Sequence, residues 1–351
     1  MYAWAVVENG APLVRIEQPT PEPQGTEVLI EVTHCGVCHS DLHFWEGHYE
    51  LGGGKRMLLR DRGVTLPRAI GHEILGRVAK LGPEADGVSV GDRRIVYPWI
   101  GCGQCRRCRA GEDNLCIDQR SLGVMRDGGF GSHVLVPHSR YLVDPGEVDP
   151  AVAATFGCSG ITVLSAIRKV MPLEPADPVV LVGAGGLGLA AIAMLRALGH
   201  EAIISVDISD EKRQAALVAG ATAVVDGNGP DVAGAIVHAA GGPVLAAIDF
   251  VNGSATARFV LDALAKGGKM VQVGVFGGEV TLSLIGLIFR ATTIIGSNTG
   301  TVADLQEVAR LAREGKLAPL PVTLVVKDEA NAALMRLRDG RVTGRLVLTA
   351  L

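Results

Sequence analysis

The run Val179-Val180-Leu181-Val182-Gly183-Ala184-Gly185-Gly186-Leu187-Gly188 constrains this chain more than any other stretch. Four aliphatic residues make a strand that reads as buried on both faces. The glycines then turn it sharply into a helix, read as Leu189–Leu198 and stopped by Gly199. In a Gly-x-Gly-x-x-Gly turn the first glycine, Gly183, permits the bend. The second, Gly185, lets a pyrophosphate approach the backbone, and the third, Gly188, lets helix pack on strand. The phosphate meets free N–H groups at a helix N-terminus, where the dipole favours an anion. The motif alone is weak, but its surroundings are specific. Ala202–Asp207 reads as the next strand, and Asp207 lies nineteen residues past Gly188, where a carboxylate accepts hydrogen bonds from an adenosine ribose. The same carboxylate repels a 2′-phosphate, which favours NAD over NADP, and Lys212 and Arg213 soften that preference.

Strands and helices keep alternating after this turn. Ala223–Val225, Val244–Phe250 and Met270–Gly274 read as further strands, spaced by helices of ten or so residues. Such a series predicts a doubly wound parallel sheet, an α/β fold, over residues 158–294. Residues 1–157 have a different texture of short strands and Pro/Gly turns, with strand-like runs at Val28–Val32, Ile74–Val78 and Arg94–Tyr97. Helical periodicity enters only at Ile161–Ile167. From about Ile295 the first texture returns, through residue 351, and closes on the strand-like run Gly344–Leu348. A length of 351 residues also exceeds one comfortable core, so two domains are expected.

With 48% hydrophobic and 20% charged residues the composition is that of a soluble globular protein, and a net charge of −4 gives no case for nucleic acid or an anionic membrane. The N-terminal Met1–Glu8 lacks the basic region of a signal peptide. Pro178–Leu195 is uncharged and long enough to resemble a membrane span, but glycines interrupt it, and a strand followed by a buried helix explains it better.

Seven cysteines is an odd number, and their clustering argues for metal ligation in a reducing, cytoplasmic compartment over a secreted disulfide framework. Cys102, Cys105 and Cys108, with Cys116 following, can wrap one tetrahedral zinc and leave no open position, which makes 101–117 a structural lobe. An iron–sulfur cluster uses similar spacing. Arg106, Arg107 and Arg109 would offset the thiolate charge. A second set is dispersed: Cys38, His72 and Cys158 form a Cys₂His group with its fourth position open, the arrangement of a catalytic zinc. Around it, Ser40 can hydrogen-bond an activated oxygen, His43 can pass a proton onward, and Asp41 can fix a ligand. Glu73 places a carboxylate beside His72. The bland alternative for Cys38–His43 is a metal-free Cys/His-rich loop. Cys35 reads as a small buried residue, or as a redox partner of Cys38, a role that conflicts with ligation. Leu51–Pro67, with its glycines and arginines, reads as an exposed basic loop. Trp45, Tyr49 and Trp99 are candidates for an apolar pocket or for ordinary core.

Taken together, these motifs resemble the zinc-dependent alcohol dehydrogenases of the medium-chain dehydrogenase/reductase superfamily, over the whole chain. The spacing from Gly63-Val64-Thr65-Leu66-Pro67 to Gly71-His72-Glu73 is most similar to tetrameric archaeal and bacterial members. The resemblance implies a mostly-β, GroES-like catalytic domain interrupted by a Rossmann domain. It implies two zinc ions per subunit, on the two sets above, and a proton relay of Ser40 and His43 with Glu73 as an acidic neighbour of the metal. It also implies NAD contacts at Gly183, Gly185, Gly186, Leu187, Gly188, Asp207 and Lys212, with Thr162 behind the nicotinamide and His39 and Arg345 at the pyrophosphate. Reversible oxidation of a primary or secondary alcohol by a homo-oligomer, tetramer or dimer, is the implied function. Polyol oxidation, reduction of an activated double bond and a non-catalytic zinc/NAD-binding role are the rivals. Two departures stand out: His39 replaces an arginine common in relatives, and the Gly52–Gly63 loop lengthens the interval between Cys38 and His72.

Overall fold

The computed structural model describes residues 1–350. Two sheets organise it. The first is antiparallel for most of its width and runs in the order Leu142–Val143, Arg93–Val96, Glu73–Leu81, Val28–Val37, Arg345–Thr349, Val322–Val326, with His133–Val136 also pairing with Val28–Val37. The last strand but one thus comes from the far C-terminus and inserts beside Val28–Val37, with Leu346 opposite Val37 and Leu348 opposite Cys35. The second sheet has six parallel strands in the order Ala223–Asp226, Ile203–Asp207, Val179–Val182, Val244–Asp249, Leu264–Gln272, Thr293–Gly296. The order reverses beside Val179–Val182, and ligands of open α/β sheets bind at such a reversal.

Val179–Val182 shows why its sequence is uninterruptedly aliphatic. Val179 and Leu181 join the large core, which continues through the helices Ile161–Val170 and Gly186–Ala197 into the antiparallel sheet. Val180 and Val182 point the other way, into a second core with Ile204, Val206, Ile236 and Met270. Each such side chain, taken fully out of water, contributes about 1.5–3 kcal/mol before chain entropy is counted.

The structure revises several sequence expectations. Val28–Val32 extends to Val37, and Met270–Gly274 belongs to a strand that begins at Leu264 and stops at Gln272. Near Ile295 the chain is still completing the parallel sheet, in Thr293–Gly296, before the helix Val302–Arg313 carries it back. The presumed loop after Leu51 is largely regular: His48–Gly52 and Lys55–Leu58 form a hairpin, followed by a 3₁₀ turn over Leu59–Arg62. Gly52, Gly53 and Gly54 all have positive φ (85°, 57° and 71°), which is what allows so tight a reversal. The hairpin tip meets the turn at Gly277–Glu279 so closely that a β-carbon on Gly52 would stand 2.9 Å from the Gly278 carbonyl oxygen.

Two helical features went unread in the sequence. Cys38 caps an eight-residue helix, His39–Glu46, in what reads as a loop. Asp41 supports the cap by accepting from the Cys38 N–H at 2.9 Å. Gly47, left-handed at φ 81°, ends it. The helix Pro150–Val170 contains a π-turn over Phe156–Gly160, the segment that carries Cys158.

Candidate active site and metal centres

Cys38, His72 and Cys158 arrive from three elements: a helix cap, the residue before the strand Glu73–Leu81, and the π-turn. Their ligand atoms all lie within 4.8 Å of one another and all three residues are buried. Asp41 joins two of the three. One carboxylate oxygen accepts from His72 Nδ1 at 3.0 Å and from the Gly71 N–H at 3.1 Å, while the other holds Cys38 N–H. With Nδ1 so engaged, His72 presents Nε2 inward, and Nε2 is buried with no hydrogen-bond partner. An orphaned imidazole nitrogen between two thiols is costly as it stands and is what a soft divalent metal would satisfy. Trp99 and Phe44 wall the imidazole, with ring centroids 5.3 and 5.9 Å away.

The electrostatics of the cluster follow from burial and proximity. The hydrogen bond between Cys158 and Cys38 pushes the Cys38 thiol well below the ordinary range, aided by His72. The same bond and burial push Cys158 well up. Burial opposes a charge on His72, but Asp41 and Cys38 together hold its pKa well above the usual value. Glu73, fully buried, is raised by burial to about 7, against the pull of Arg345, whose guanidinium pairs with it.

Ser40 and His43 lie on the short helix, three residues apart. His43 is half-buried, and burial lowers its pKa. Its ring packs on Tyr49 at 4.7 Å between centroids. That packing sets Tyr49, a residue of the hairpin, beside His43 as well as among the apolar wall candidates. Trp99 does border the site, whereas Trp45 turns away to donate to the Ala11 carbonyl at 2.6 Å and is core packing.

The nucleotide end has the shape its glycines require. Gly183 has φ 92°, and a β-carbon on Gly188 would stand 1.9 Å from the Gly183 carbonyl oxygen, so only glycine fits where helix meets strand. A β-carbon on Gly185 would meet nothing within 4 Å, so the backbone there is open to a ligand. Gly186 and Leu187 begin the helix Gly186–Ala197. Asp207 ends its strand and holds the turn, accepting from the Ala184 N–H at 2.7 Å and the Ser209 N–H at 2.9 Å. Lys212 lies in the first turn of the following helix, and Arg213 donates to the Asp207 carbonyl at 2.8 Å. The Thr162 hydroxyl is buried and unpartnered at the start of the helix Ile161–Val170. Arg345 spans the two halves: its side chain crosses Gly186 and its head reaches Glu73. His39 opens the short helix and is exposed.

Cys102, Cys105, Cys108 and Cys116 converge in a lobe of their own. Their sulfurs lie 3.5 Å (Cys105–Cys108), 3.8 Å (Cys105–Cys116) and 4.0 Å (Cys102–Cys108) apart. A tetrahedron of thiolates at ~2.3 Å from one zinc has edges of about 3.8 Å. The spacing suits a single ion and is too tight for ligands spread around a multi-iron cluster. All seven cysteines are free thiols.

Two groups able to hold a metal, one buried beside a dinucleotide turn and one closed in a separate lobe, define a zinc-binding dehydrogenase. Comparison with known proteins agrees. The alcohol dehydrogenase GroES-like domain matches residues 24–145, and the zinc-binding dehydrogenase family matches residues 186–314. The chain is 38% identical to the NAD-dependent alcohol dehydrogenases of Sulfurisphaera tokodaii and Saccharolobus solfataricus, over 99% of this chain and of each relative. The alcohol dehydrogenase of Aeropyrum pernix superposes with a TM-score of 0.90 at 31% identity, covering 99% of this chain and 100% of that one. The chain belongs to the zinc- and NAD-dependent alcohol dehydrogenases of the medium-chain dehydrogenase/reductase superfamily.

Proposed function

We propose that this chain oxidises an alcohol to an aldehyde or ketone, reversibly, at the site where Cys38, His72 and Cys158 meet. The unpartnered Nε2 of His72, fixed in direction by Asp41, carries the reading. In this reading residues 1–157 and those from Ser297 onward form the catalytic body and 158–296 the nucleotide-binding domain, with Cys102, Cys105, Cys108 and Cys116 holding a structural zinc.

When bound, zinc supplies the Lewis acidity that makes an alcohol proton labile near neutrality, and NAD supplies the hydride acceptor. The protein does the rest. Ser40 takes the hydroxyl proton and His43 delivers it to water, with Tyr49 packed against the His43 ring. Asp41 orients His72, and Glu73 pairs with Arg345 beside the cluster. Gly183, Gly185, Gly186, Leu187 and Gly188 receive the pyrophosphate, assisted by His39 and Arg345. Asp207 and Lys212 hold the adenosine ribose, and Thr162 stands behind the nicotinamide.

The wall of Trp99, Phe44 and Tyr49 favours an apolar alcohol over a polyol, which would need more polar partners than these rings offer. A homo-oligomer, tetramer or dimer, is supported by the exposed Phe276, Leu284, Ile285, Ile288 and Phe289 near the open edge strand Thr293–Gly296. A cytoplasmic location is supported by the seven unpaired cysteines.

The test is NADH formation by the purified zinc-loaded protein over primary, secondary, cyclic and aromatic alcohols, with Cys38→Ser alongside. Turnover by the native chain and none by Cys38→Ser, with NAD binding retained, is expected. Equal turnover in both would remove the Cys38 site from the reaction.

A further inference from the structure

The four-cysteine lobe touches the remainder of the protein at a place its metal chemistry does not require. Just before Cys116, the 3₁₀ turn Asp113–Leu115 carries Asn114, which is buried. Asn114 Nδ2 donates to the Asn298 carbonyl at 2.8 Å, and Asn298 Nδ2 donates back to the Asn114 carbonyl at 3.3 Å. These residues are 184 positions apart, and the reciprocal pair closes like a clasp. Gln119 Nε2 braces the same Asn114 carbonyl at 2.5 Å, and the neighbouring Asp113 accepts from Arg140 at 3.0 Å and Tyr141 at 2.9 Å, so the lobe side is rigidly held.

Asn298 lies in the connector Ser297–Thr301, by which the chain leaves the last strand of the parallel sheet and enters the helix Val302–Arg313. That connector has marks of a joint. Thr299 has φ 48°, a left-handed conformation unusual for a β-branched residue, and its hydroxyl is buried without a partner. A β-carbon on Gly300 would stand 2.7 Å from the Ile161 carbonyl oxygen, one residue before Thr162. Both ends of the connector are pinned. Lys169 Nζ donates to Ser297 Oγ at 2.8 Å, Tyr97 donates to the Gly300 carbonyl at 2.8 Å, and Thr301 caps the helix with Asp304, which in turn pairs with Arg168. Between these pins, Asn298 is held by the lobe alone among the side-chain contacts described.

We propose that Asn114 and Asn298 are positioning residues for cofactor binding: through their clasp the four-cysteine lobe holds the Ser297–Thr301 connector in the conformation that sets the parallel sheet against the catalytic body. Short element-terminal segments of this kind absorb the rotation when two domains close on a ligand. A connector already ordered spares NAD the cost of ordering it, so loosening the clasp weakens NAD without touching the groups that react. The inference rests on NAD binding at the Gly183–Gly188 turn.

The test uses full-length zinc-loaded enzyme and three variants: Asn298→Ala, whose residue is exposed and dispensable for packing; Asn114→Ala; and the double variant. NADH dissociation constants from fluorescence, zinc per chain and kcat are measured for each. We expect each single variant to weaken NADH about threefold to tenfold, with two zinc ions retained and the KM for alcohol at saturating NAD unchanged. Each single variant removes one of the two bonds and leaves the other, which ends on a backbone carbonyl, so the double variant should bind NADH more weakly than either single one. NADH binding within twofold of wild type in Asn298→Ala overturns the proposal, as does a double variant that binds NADH no more weakly than the single ones. A loss of zinc from Asn298→Ala also overturns it, since the lobe would then be failing by itself. If wild-type enzyme did not bind NADH, the functional reading would fail first, and the two failures are told apart on the same plate.

Discussion

Asp41 is the residue on which the buried cluster turns, and Asp41→Asn is the perturbation that isolates it. The carboxylate is fully buried and accepts three hydrogen bonds through two oxygens: His72 Nδ1 and Gly71 N–H on one, Cys38 N–H on the other. Asparagine has the same shape but one acceptor oxygen. If that oxygen keeps His72 and Gly71, its NH₂ faces the Cys38 N–H, donor against donor, and the cap that aims the thiol is lost. If it turns over to keep Cys38, the NH₂ opposes both His72 and Gly71. Every orientation therefore breaks at least one bond to an ionised acceptor, each worth about 1.5–3 kcal/mol. Residues that orient metal ligands typically cost 10–100-fold in metal affinity when removed, or about 1.4–2.7 kcal/mol, so the two routes agree.

The assay is chelator competition on the zinc-loaded protein with zinc counted per chain. Asp41→Asn should release one of two ions 10–100-fold more readily while the other, held by Cys102, Cys105, Cys108 and Cys116, behaves as in wild type. Turnover should fall with the released ion and NADH binding should persist. Two ions leaving together, or the affinity of the first remaining within twofold of wild type, would refute the argument that Asp41 holds His72 and Cys38 in register.

Gly185→Ala should fold normally but weaken NAD, since its β-carbon meets no protein atom, whereas Gly188→Ala should destabilise the fold by about 1–3 kcal/mol through its clash with the Gly183 carbonyl; denaturant melts and NADH titration separate the two. Asp207→Gly should shift preference toward NADP and also cost stability, because Ala184 and Ser209 lose their acceptor; an unaltered NAD/NADP ratio of kcat/KM would refute the ribose role. His43→Ala should slow turnover by up to roughly 10²-fold, most below neutral pH, with partial rescue by an added buffer base; an unchanged pH profile would remove His43 from the relay. Lys327 donates to the Gly131 carbonyl at 2.8 Å in the core, and burial lowers its pKa from 10.5 to about 8. Between those values the unfolded chain binds more protons than the folded one, so stability gains with rising pH, by about 3 kcal/mol in all for this group. Wild type should therefore improve relative to Lys327→Met from pH 8 to 10 in urea melts, and parallel curves would show that the amine is not held as described.

What could be read in the sequence was what is local. The glycine turn and the Cys102–Cys116 lobe each keep their determinants within a few residues, and both took the expected form. Cys38, His72 and Cys158 were legible only as a group, because a thiol or an imidazole alone fits many roles. The helix His39–Glu46 was missed because two histidines, a serine and an aspartate are poor helix formers; its signal was the cap, with Asp41 three residues after Cys38. The π-turn at Phe156–Gly160 has no signal of its own, since small and apolar residues suit an ordinary helix equally well. The packing of Tyr49 on His43 and the Asn114–Asn298 clasp depend on which segments meet in space, and neither residue announces its partner in the sequence.

The hairpin His48–Leu58 shows why the interval between ligands is a poor guide to the site they build. Cys38 and His72 are joined by Asp41, which bonds to both, so the ends of the intervening segment are fixed by the cluster and not by the segment's length. Closing a flexible loop costs only about 0.6 kcal/mol more for each doubling of length. A hairpin that makes its own strand pairing repays most of that cost locally. The excursion is then free to vary, and its useful work is done at its two contacts: Tyr49 against His43 at its base, and Gly52 against Gly278 at its tip. Because the base touches the proton relay and the tip touches a turn between the last two strands of the parallel sheet, relay geometry and domain position are joined through one hairpin. Lengthening the tip by two glycines should therefore disturb turnover and NADH binding together while leaving zinc content unchanged, and an effect on neither would show that the hairpin's ends act independently of its length.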